Sequence, residues 1–354
     1  MAVTTRYDLA RDELGALLDG EPRYRLDQLW DGLYAQLADP ADITNLPKAL
    51  RGRLDDELPL ALELVTESVS DDGGTVKFLW ELDGGGRIET VLMLYPDRAT
   101  VCVSSQAGCA MACGFCATGQ AGFTRHLTTG EIVEQVVRAA QRAAASERRV
   151  SNVVFMGMGE PMANLDRVWS ATERIHGDLG LSARHITIST VGVVPGIRRL
   201  RDLPLPVNLA VSLHAANDEL RTGLVPLNAR YPLDVLIGAC ADYLDVKHRR
   251  VSFEWAMIDG VNDRAADAEE LAELCHRLRP SAHVNLIPLN PTPGYPTRGT
   301  ALRDVHGFRD RLEELGVNAT VRRNRGTDID AACGQLAAGQ AVTLSPTRRT
   351  APNA

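Results

Sequence analysis

Three cysteines crowd into one short stretch of this chain. "CAMACGFC" runs from Cys109 to Cys116 and holds Cys109, Cys113 and Cys116. The whole chain of 354 residues has seven cysteines. A disulfide uses two sulfurs, and a structural zinc site closes with four, usually as two Cys-x-x-Cys pairs. Only one such pair is present, Cys113 and Cys116. Cys240 and Cys275 stand alone within helical patterns and read as structural thiols. Thiolates are soft ligands that suit zinc or iron–sulfur clusters. In a four-iron cubane, three thiolates hold three irons and leave the fourth open to a substrate or cofactor.

Other residues gather at the ends of apolar runs. In "FMGMGEP" Gly159 permits close backbone approach, and Glu160 offers a carboxylate to a cation. "STVG" puts Ser189 at a strand end, "SLHA" does the same for Ser212, Leu213 and His214, and Asn290 follows the run "NLIPL". "VRRNRG" places Arg322, Arg323 and Arg325 shortly before Cys333, where they could meet phosphates or form a solvated charge cluster.

The elements that position these groups change character along the chain. "DELGALLDG" and "YRLDQLWDGLYAQL" carry apolar residues at helical spacing, so the first 55 or so residues form a small helical module. It serves as a cap on the main domain or as an RNA-docking unit. "ALELVTESVS", "TVKFLWEL" and "RIETVLMLY" read as strands joined by the turns "DDGG" and "DGGG". From "ATVCVSS" onward, short apolar strands alternate with helices. Thr128 and Glu131 are spaced as a capping box at the first of these. Six βα units and a final strand are too few for an eight-unit barrel and fit a partial one. Ligands then belong at the C-terminal ends of the strands, where the cysteine loop begins. "LSPTRRTAPNA" is polar and expected to be flexible.

Composition bounds the rest. Apolar residues make up 45% and charged residues 24%, as in ordinary globular proteins. No apolar run reaches the ~18–20 residues of a membrane span. The first residues carry acidic groups and no apolar core of a signal peptide. Cytoplasmic placement and no membrane partner are expected, and crowded, odd-numbered cysteines argue against a disulfide framework. The net charge of −8 advertises no nucleic-acid partner, but a local basic groove can sit on an acidic protein.

Cys-x-x-x-Cys-x-x-Cys after the first barrel strand, with Phe115 before the last cysteine, resembles the signature of the radical S-adenosylmethionine (SAM) superfamily. "FMGMGEP", "STVG", "SLHA", "NLIPLNP" and "RGTDIDAACGQL" narrow the resemblance, over nearly the whole chain, to the RlmN/Cfr family of RNA methyltransferases. Val191 in "STVG" departs from the Ser or Thr more usual there. The resemblance implies a partial (βα)6 TIM-type radical SAM barrel over 99–340, an N-terminal helical RNA-docking domain over 1–57, a β extension over 58–98 and a flexible tail over 341–354. It implies a [4Fe-4S] cluster on Cys109, Cys113 and Cys116, whose open iron chelates SAM and delivers one electron to release a 5′-deoxyadenosyl radical. Gly159, Glu160, Ser189, Ser212, Leu213, His214 and Asn290 then hold SAM. Cys333 carries a methyl group from a first SAM, and a second SAM activates it. Cys102 resolves the RNA adduct by forming a disulfide with Cys333, and Glu89 acts as an acid–base group. The implied product is an adenine methylated at C2, at adenine-2503 of 23S rRNA and, in some members, at adenosine 37 of certain tRNAs. The implied partners are 23S rRNA, tRNA and an electron donor such as flavodoxin or ferredoxin, with the chain a monomer. The rivals are a Cfr-type C8 methyltransferase, a radical SAM peptide or protein maturase, and a non-enzymatic RNA-binding protein with a structural metal. "DITNLPKALRGRL" and "RGTDIDAACGQL" favour the C2 type over the C8 type, and Cys102 with Cys333 argues against a maturase.

Overall fold

The structure, a computed structural model, describes residues 4–338 apart from Arg279, Ser281 and Pro293. The tail expected over 341–354 lies outside the described residues. Helices α1 (Arg11–Ala16), α2 (Tyr24–Tyr34) and α3 (Lys48–Glu57) come first. Strands β1 (Leu62–Val69), β2 (Thr75–Leu82) and β3 (Arg87–Leu94) follow as an antiparallel meander. The remaining elements are β4 (Ala99–Cys102), β5 (Gln106–Gly108), α4 (Ala117–Ala121), β6 (Phe123–His126), α5 (Thr129–Ala144), β7 (Val150–Phe155), α6 (Leu165–Gly177), β8 (Ile186–Thr190), α7 (Val194–Asp202) and β9 (Asn208–Ser212). The chain then forms α8 (Asp218–Leu224), α9 (Leu233–Lys247), β10 (Val251–Met257), α10 (Ala265–His276), β11 (His283–Pro288), α11 (Leu302–Glu314) and β12 (Ala319–Val321).

Strands β4, β7, β8, β9, β10, β11 and β12 pair in parallel, in that order. This is the partial barrel that the alternation of elements predicts. Helices pack outside it, so inner and outer faces both carry apolar residues, and the strands read as near-continuous apolar runs. The α5 cap is the expected box: Thr128 Oγ1 accepts from Glu131 N at 3.1 Å, and Glu131 Oε2 accepts from Thr128 N at 2.8 Å.

Sequence reading separates the β extension from the barrel, but the backbone joins them. β3 pairs antiparallel with β4, so one ten-stranded sheet runs from β1 to β12. The extension therefore covers the edge of the first barrel strand, which would otherwise expose unpaired N–H and C=O groups. Buried Glu134 of α5 fixes the junction by accepting from Ala61 N at 2.7 Å and Leu62 N at 3.2 Å. The helical module docks on α5 and α6. Asp8 Oδ1 accepts from Gly130 N at 2.7 Å, the Arg174 guanidinium donates to the carbonyls of Tyr7 and Asp8, and Trp30 Nε1 donates to Asp178 Oδ1 at 3.1 Å.

After β12 the chain turns back across the mouth of the open barrel. Asp328 Oδ2 accepts from Asp71 N at 2.8 Å, and Lys77 Nζ donates to Asp330 O at 3.3 Å. This clasp over residues 326–338 ties the last barrel strand to β2 and β3, and Cys333 sits within it.

Candidate active site

The cysteine loop leaves a small two-stranded sheet, β5 paired with β6. Cys109 N donates to Gly122 O at 2.7 Å and Cys116 N to Cys113 O at 3.1 Å, which fixes both ends of the loop. Gly108 has φ 72°, and a Cβ there would lie 1.9 Å from Gly122 O, so no other residue fits. All three thiols line one cavity. Burial holds the Cys109 thiol up at about 12 and raises that of Cys113, each with further repulsion from Cys116. Thiols so placed ionise when a metal supplies the compensating charge. Among the described residues no three metal-binding side chains converge on a single ion position. Three separate thiolates around one cavity suit a cluster that takes one ligand per iron, so the donor set fits [4Fe-4S].

Strand ends build the facing wall. Glu160 is 2% exposed, and its carboxylate accepts from Met162 N at 3.0 Å and Val191 N at 2.8 Å. Burial still lifts it to about 7. It contacts the Val191 backbone rather than a side chain, so the valine that departs from the family pattern leaves this bond intact. Gly159 sits at φ 100°, and a Cβ there would meet Gln106 Cβ at 2.5 Å. The close approach expected at this glycine is therefore made by the protein's own β5. Ser189 Oγ donates to Phe155 O at 2.6 Å. His214 is at φ 61°, held by Asn262 Nδ2 donating to its carbonyl at 2.8 Å. Its Nδ1 accepts from Ala256 N at 3.0 Å, which places the proton of the neutral ring on Nε2. Burial, aided by Arg221, lowers this imidazole to about 3, so it stays neutral, with its ring 4.7 Å from that of Phe115. Ser212 lines the same cavity, while Leu213 beside it is fully buried.

Sequence reading missed Arg221. It looks like a surface residue of "DELRTGL", yet it is 1% exposed. Its guanidinium donates to Val191 O at 2.7 Å, Ser212 O at 3.2 Å, Leu213 O at 3.1 Å and Asn228 Oδ1 at 2.8 Å. One cation thus pins two of the strand-end loops that line the cavity. Nothing in its local sequence marks it.

Cys333 enters from the clasp. Asn290 Nδ2 donates to Cys333 O at 3.0 Å, and Asn290 Oδ1 accepts from Asn324 Nδ2 at 2.6 Å. Ala117 N, just after Cys116, donates to Gly334 O at 2.8 Å, and Thr118 Oγ1 donates to Leu336 O at 2.6 Å. The cluster loop and the clasp are therefore stitched together. Cys333 is an exposed residue that lines a cavity on each side; burial around its thiol lifts it to about 12, with repulsion from Cys116 and Glu254. Half-buried Cys102 is raised to about 12 by burial and then by Cys333. Both thiols are free.

Glu89 is not brought to either cavity lining. One carboxylate oxygen pairs with Lys77 Nζ at 3.0 Å, and the other accepts from Ala337 N at 2.9 Å and Ala338 N at 3.0 Å. It anchors the clasp just past Cys333.

A second cavity, of about 580 Å³, lies on the other side of Cys333. Cys102 and Cys333 both line it, with Arg98, Arg184, Arg322 and Arg323. Arg325 lines it too, and its guanidinium stacks 4.4 Å from the Tyr95 ring centre. The two cavities share Met156, Glu254, Ile287 and Cys333. One therefore faces the cluster loop, the other is basic, and Cys333 stands between them.

Residues 103–275 match the Radical SAM superfamily. A "Probable dual-specificity RNA methyltransferase RlmN" of Frankia alni is 52% identical, over 94% of this chain and 82% of that protein. One of the same name from Chloroflexus aurantiacus is 48% identical, over 98% of this chain and 96% of that protein. The crystal structure of a radical SAM methyltransferase from Sphaerobacter thermophilus superposes with a TM-score of 0.91 at 51% identity, covering 95% of this chain and 99% of that one. Among the described residues no helix is long and apolar enough to cross a membrane.

Proposed function

The chain belongs to the RlmN family of radical SAM RNA methyltransferases, with a [4Fe-4S] cluster and SAM as cofactors, and from that premise we propose that it methylates C2 of an adenine in RNA through a carrier cysteine. The observation that carries this reading is the position of Cys333 between the two cavities, with Cys102 lining the second. When bound at Cys109, Cys113 and Cys116, the cluster supplies the electron that releases a 5′-deoxyadenosyl radical from SAM. Glu160 receives the SAM ammonium, and Ser189, Ser212, Leu213 and the Nε2–H of His214 line its binding face. Asn290 acts there through the Cys333 carbonyl that it holds.

The Cys333 thiolate takes a methyl group from a first SAM by displacement at the methyl carbon: its S–C bond forms as the methyl–sulfonium bond breaks and S-adenosylhomocysteine leaves. With a second SAM bound, that methyl on Cys333 would lose one hydrogen atom, which leaves as 5′-deoxyadenosine, and its carbon would then bond to C2 of the adenine. The adduct gives back one electron and loses its C2 proton to Cys102. Cys102 then passes that proton on as its sulfur attacks the Cys333 sulfur: an S–S bond forms, the C–S bond breaks with its pair going to carbon, and the proton completes the new methyl. External reductant, which also starts the cycle through a carrier such as flavodoxin or ferredoxin, restores the two thiols. Glu89 serves this sequence by holding Ala337 and Ala338, and an acid–base role for it would require the clasp to open. The preferred base is adenine-2503 of 23S rRNA, with adenosine 37 of some tRNAs as a second target, which places the reaction in the cytoplasm. RNA from cells deleted for this chain should lack 2-methyladenine by mass spectrometry. Loss of 8-methyladenine instead would favour the C8 rival.

The arginines of the second cavity are placed for phosphates. Replacing Arg322, Arg323 or Arg325 by Gln should weaken RNA binding and lower the slope of log K against log salt by about one per lost phosphate contact. A slope unchanged in all three would make them a solvated face.

A further inference from the structure

A base extruded into the second cavity must be recognised at its edge, and one acidic side chain stands where that recognition would occur. Glu254 of β10 lines both cavities, as Cys333 does. It is 6% exposed. Its Oε1 accepts from Asn285 Nδ2 at 2.7 Å and Ser252 Oγ at 3.0 Å, while Oε2 has no partner among the described residues. The group is close enough to Cys333 for its charge to act on that thiol. A buried carboxyl with one oxygen fixed and the other bare, beside the methyl carrier, is shaped to meet a ligand.

Resting on the adenine-C2 reading above, we propose that Glu254 is a substrate-recognition and catalytic residue whose Oε2–H donates to a ring nitrogen flanking C2. The chemistry favours a donor there. Addition of a carbon radical to C2 pushes electron density onto the two neighbouring nitrogens, and a preorganised donor stabilises that adduct. Burial raises the Glu254 carboxyl, against the opposing pull of Asn285, Arg322 and Ser252, which favours the protonated form that can donate. The cavity volume lies within the range of about 300–1,000 Å³ usual for small-molecule sites, so a nucleotide base fits beside it.

The test uses full-length reconstituted enzyme and RNA hairpins carrying adenosine, 1-deazaadenosine or 3-deazaadenosine at the target. Two steps are followed: methylation of Cys333 by protein mass spectrometry, and single-turnover transfer to the RNA. Wild type should reject the analogue that lacks the recognised nitrogen by at least about a hundredfold in transfer. Glu254→Ala should methylate Cys333 normally, transfer to adenosine about a hundredfold more slowly, and treat that analogue and adenosine alike. Glu254→Gln, whose amide N–H can donate in place of the acid, should stay within about tenfold of wild type and keep the discrimination. Equal use of all three hairpins by wild type overturns the inference, as does undiminished discrimination by Glu254→Ala. Loss of Cys333 methylation in both variants overturns it too, because it makes Glu254 a SAM contact or a structural group. Failure of wild type to yield 2-methyladenine on any hairpin instead removes the C2 reading, and this inference with it.

Discussion

Cys109→Ala, Cys113→Ala and Cys116→Ala each abolish cluster assembly and reductive cleavage of SAM. Anaerobically reconstituted wild type should hold about four irons and four sulfides per chain and cleave SAM when reduced. The loop explains why one substitution suffices. Each thiol is fixed by a different local device: the Cys109 N–H to Gly122, the Cys116 N–H to Cys113, and burial for Cys113 itself. Cys240 and Cys275 cannot substitute, since both are fully buried in α9 and α10 and line neither cavity. Those two provide the control. Cys240→Ala and Cys275→Ala should cost about 1 kcal/mol of stability from lost packing and leave iron content and SAM cleavage unchanged. Retention of four irons and of SAM cleavage by a variant lacking all three loop cysteines would remove the cluster from this loop. Stoichiometric zinc in place of iron after native purification would point to the structural-metal rival.

What the sequence makes legible follows from which physical signals are local. The barrel reads well because parallel strands covered on both faces must be apolar along their length, and the helix between each pair restores a 3.6 period. The Thr128–Glu131 box is a four-residue signal, and the three cysteines are an eight-residue one. Signals that depend on distant partners are silent. Strands β5 and β6 have three and four residues, too short to display a period, yet they frame the cluster loop. Arg221 carries four hydrogen bonds to groups on three loops, and none of them is encoded in the helix that holds it.

Glu89 and Asn290 show the same limit at the level of roles. Alternation along β3 can place Glu89 on a face of the sheet. It cannot reveal that Ala337, 248 residues later, lands on that carboxylate. Asn290 follows a barrel strand, as a SAM contact should, but its amide is engaged at one end by Cys333 of the clasp and at the other by Asn324 just before it. Glu254 is hidden for the opposite reason. It interrupts the apolar run "VSFEWAM" of β10, where one polar residue looks like noise until the barrel interior is seen. The extension's continuity with the barrel was likewise invisible, because pairing of β3 with β4 depends on register rather than on composition.

Cys102→Ala separates a resolving thiol from a packing one by the species it accumulates. If Cys102 only fills its place at the end of β4, the variant should lose some stability and finish a slower reaction. In the two-cysteine mechanism, its absence leaves the steps up to bonding at C2 intact. Cys333 is still methylated, the hydrogen atom is still removed, and the carbon still bonds to C2. The C–S bond then has no attacking thiolate to release it. The RNA stays joined to Cys333 through a methylene bridge, and turnover stops at one adduct per chain. A denaturing gel of Cys102→Ala purified from cells should show a slowly migrating species that ribonuclease collapses to the position of the free chain. Cys102→Ala combined with Cys333→Ala should lack it, because no carrier remains to form the bridge. The geometry sharpens the expectation: Cys102 and Cys333 line the same cavity, and burial, with added repulsion from the Cys333 thiolate, opposes ionisation of Cys102. Alkylation of the Cys333 sulfur removes that second contribution, so Cys102 ionises more readily after transfer than before it. Normal yield of methylated RNA from Cys102→Ala, with no trapped species, would end the role assigned to Cys102 and the carrier mechanism with it.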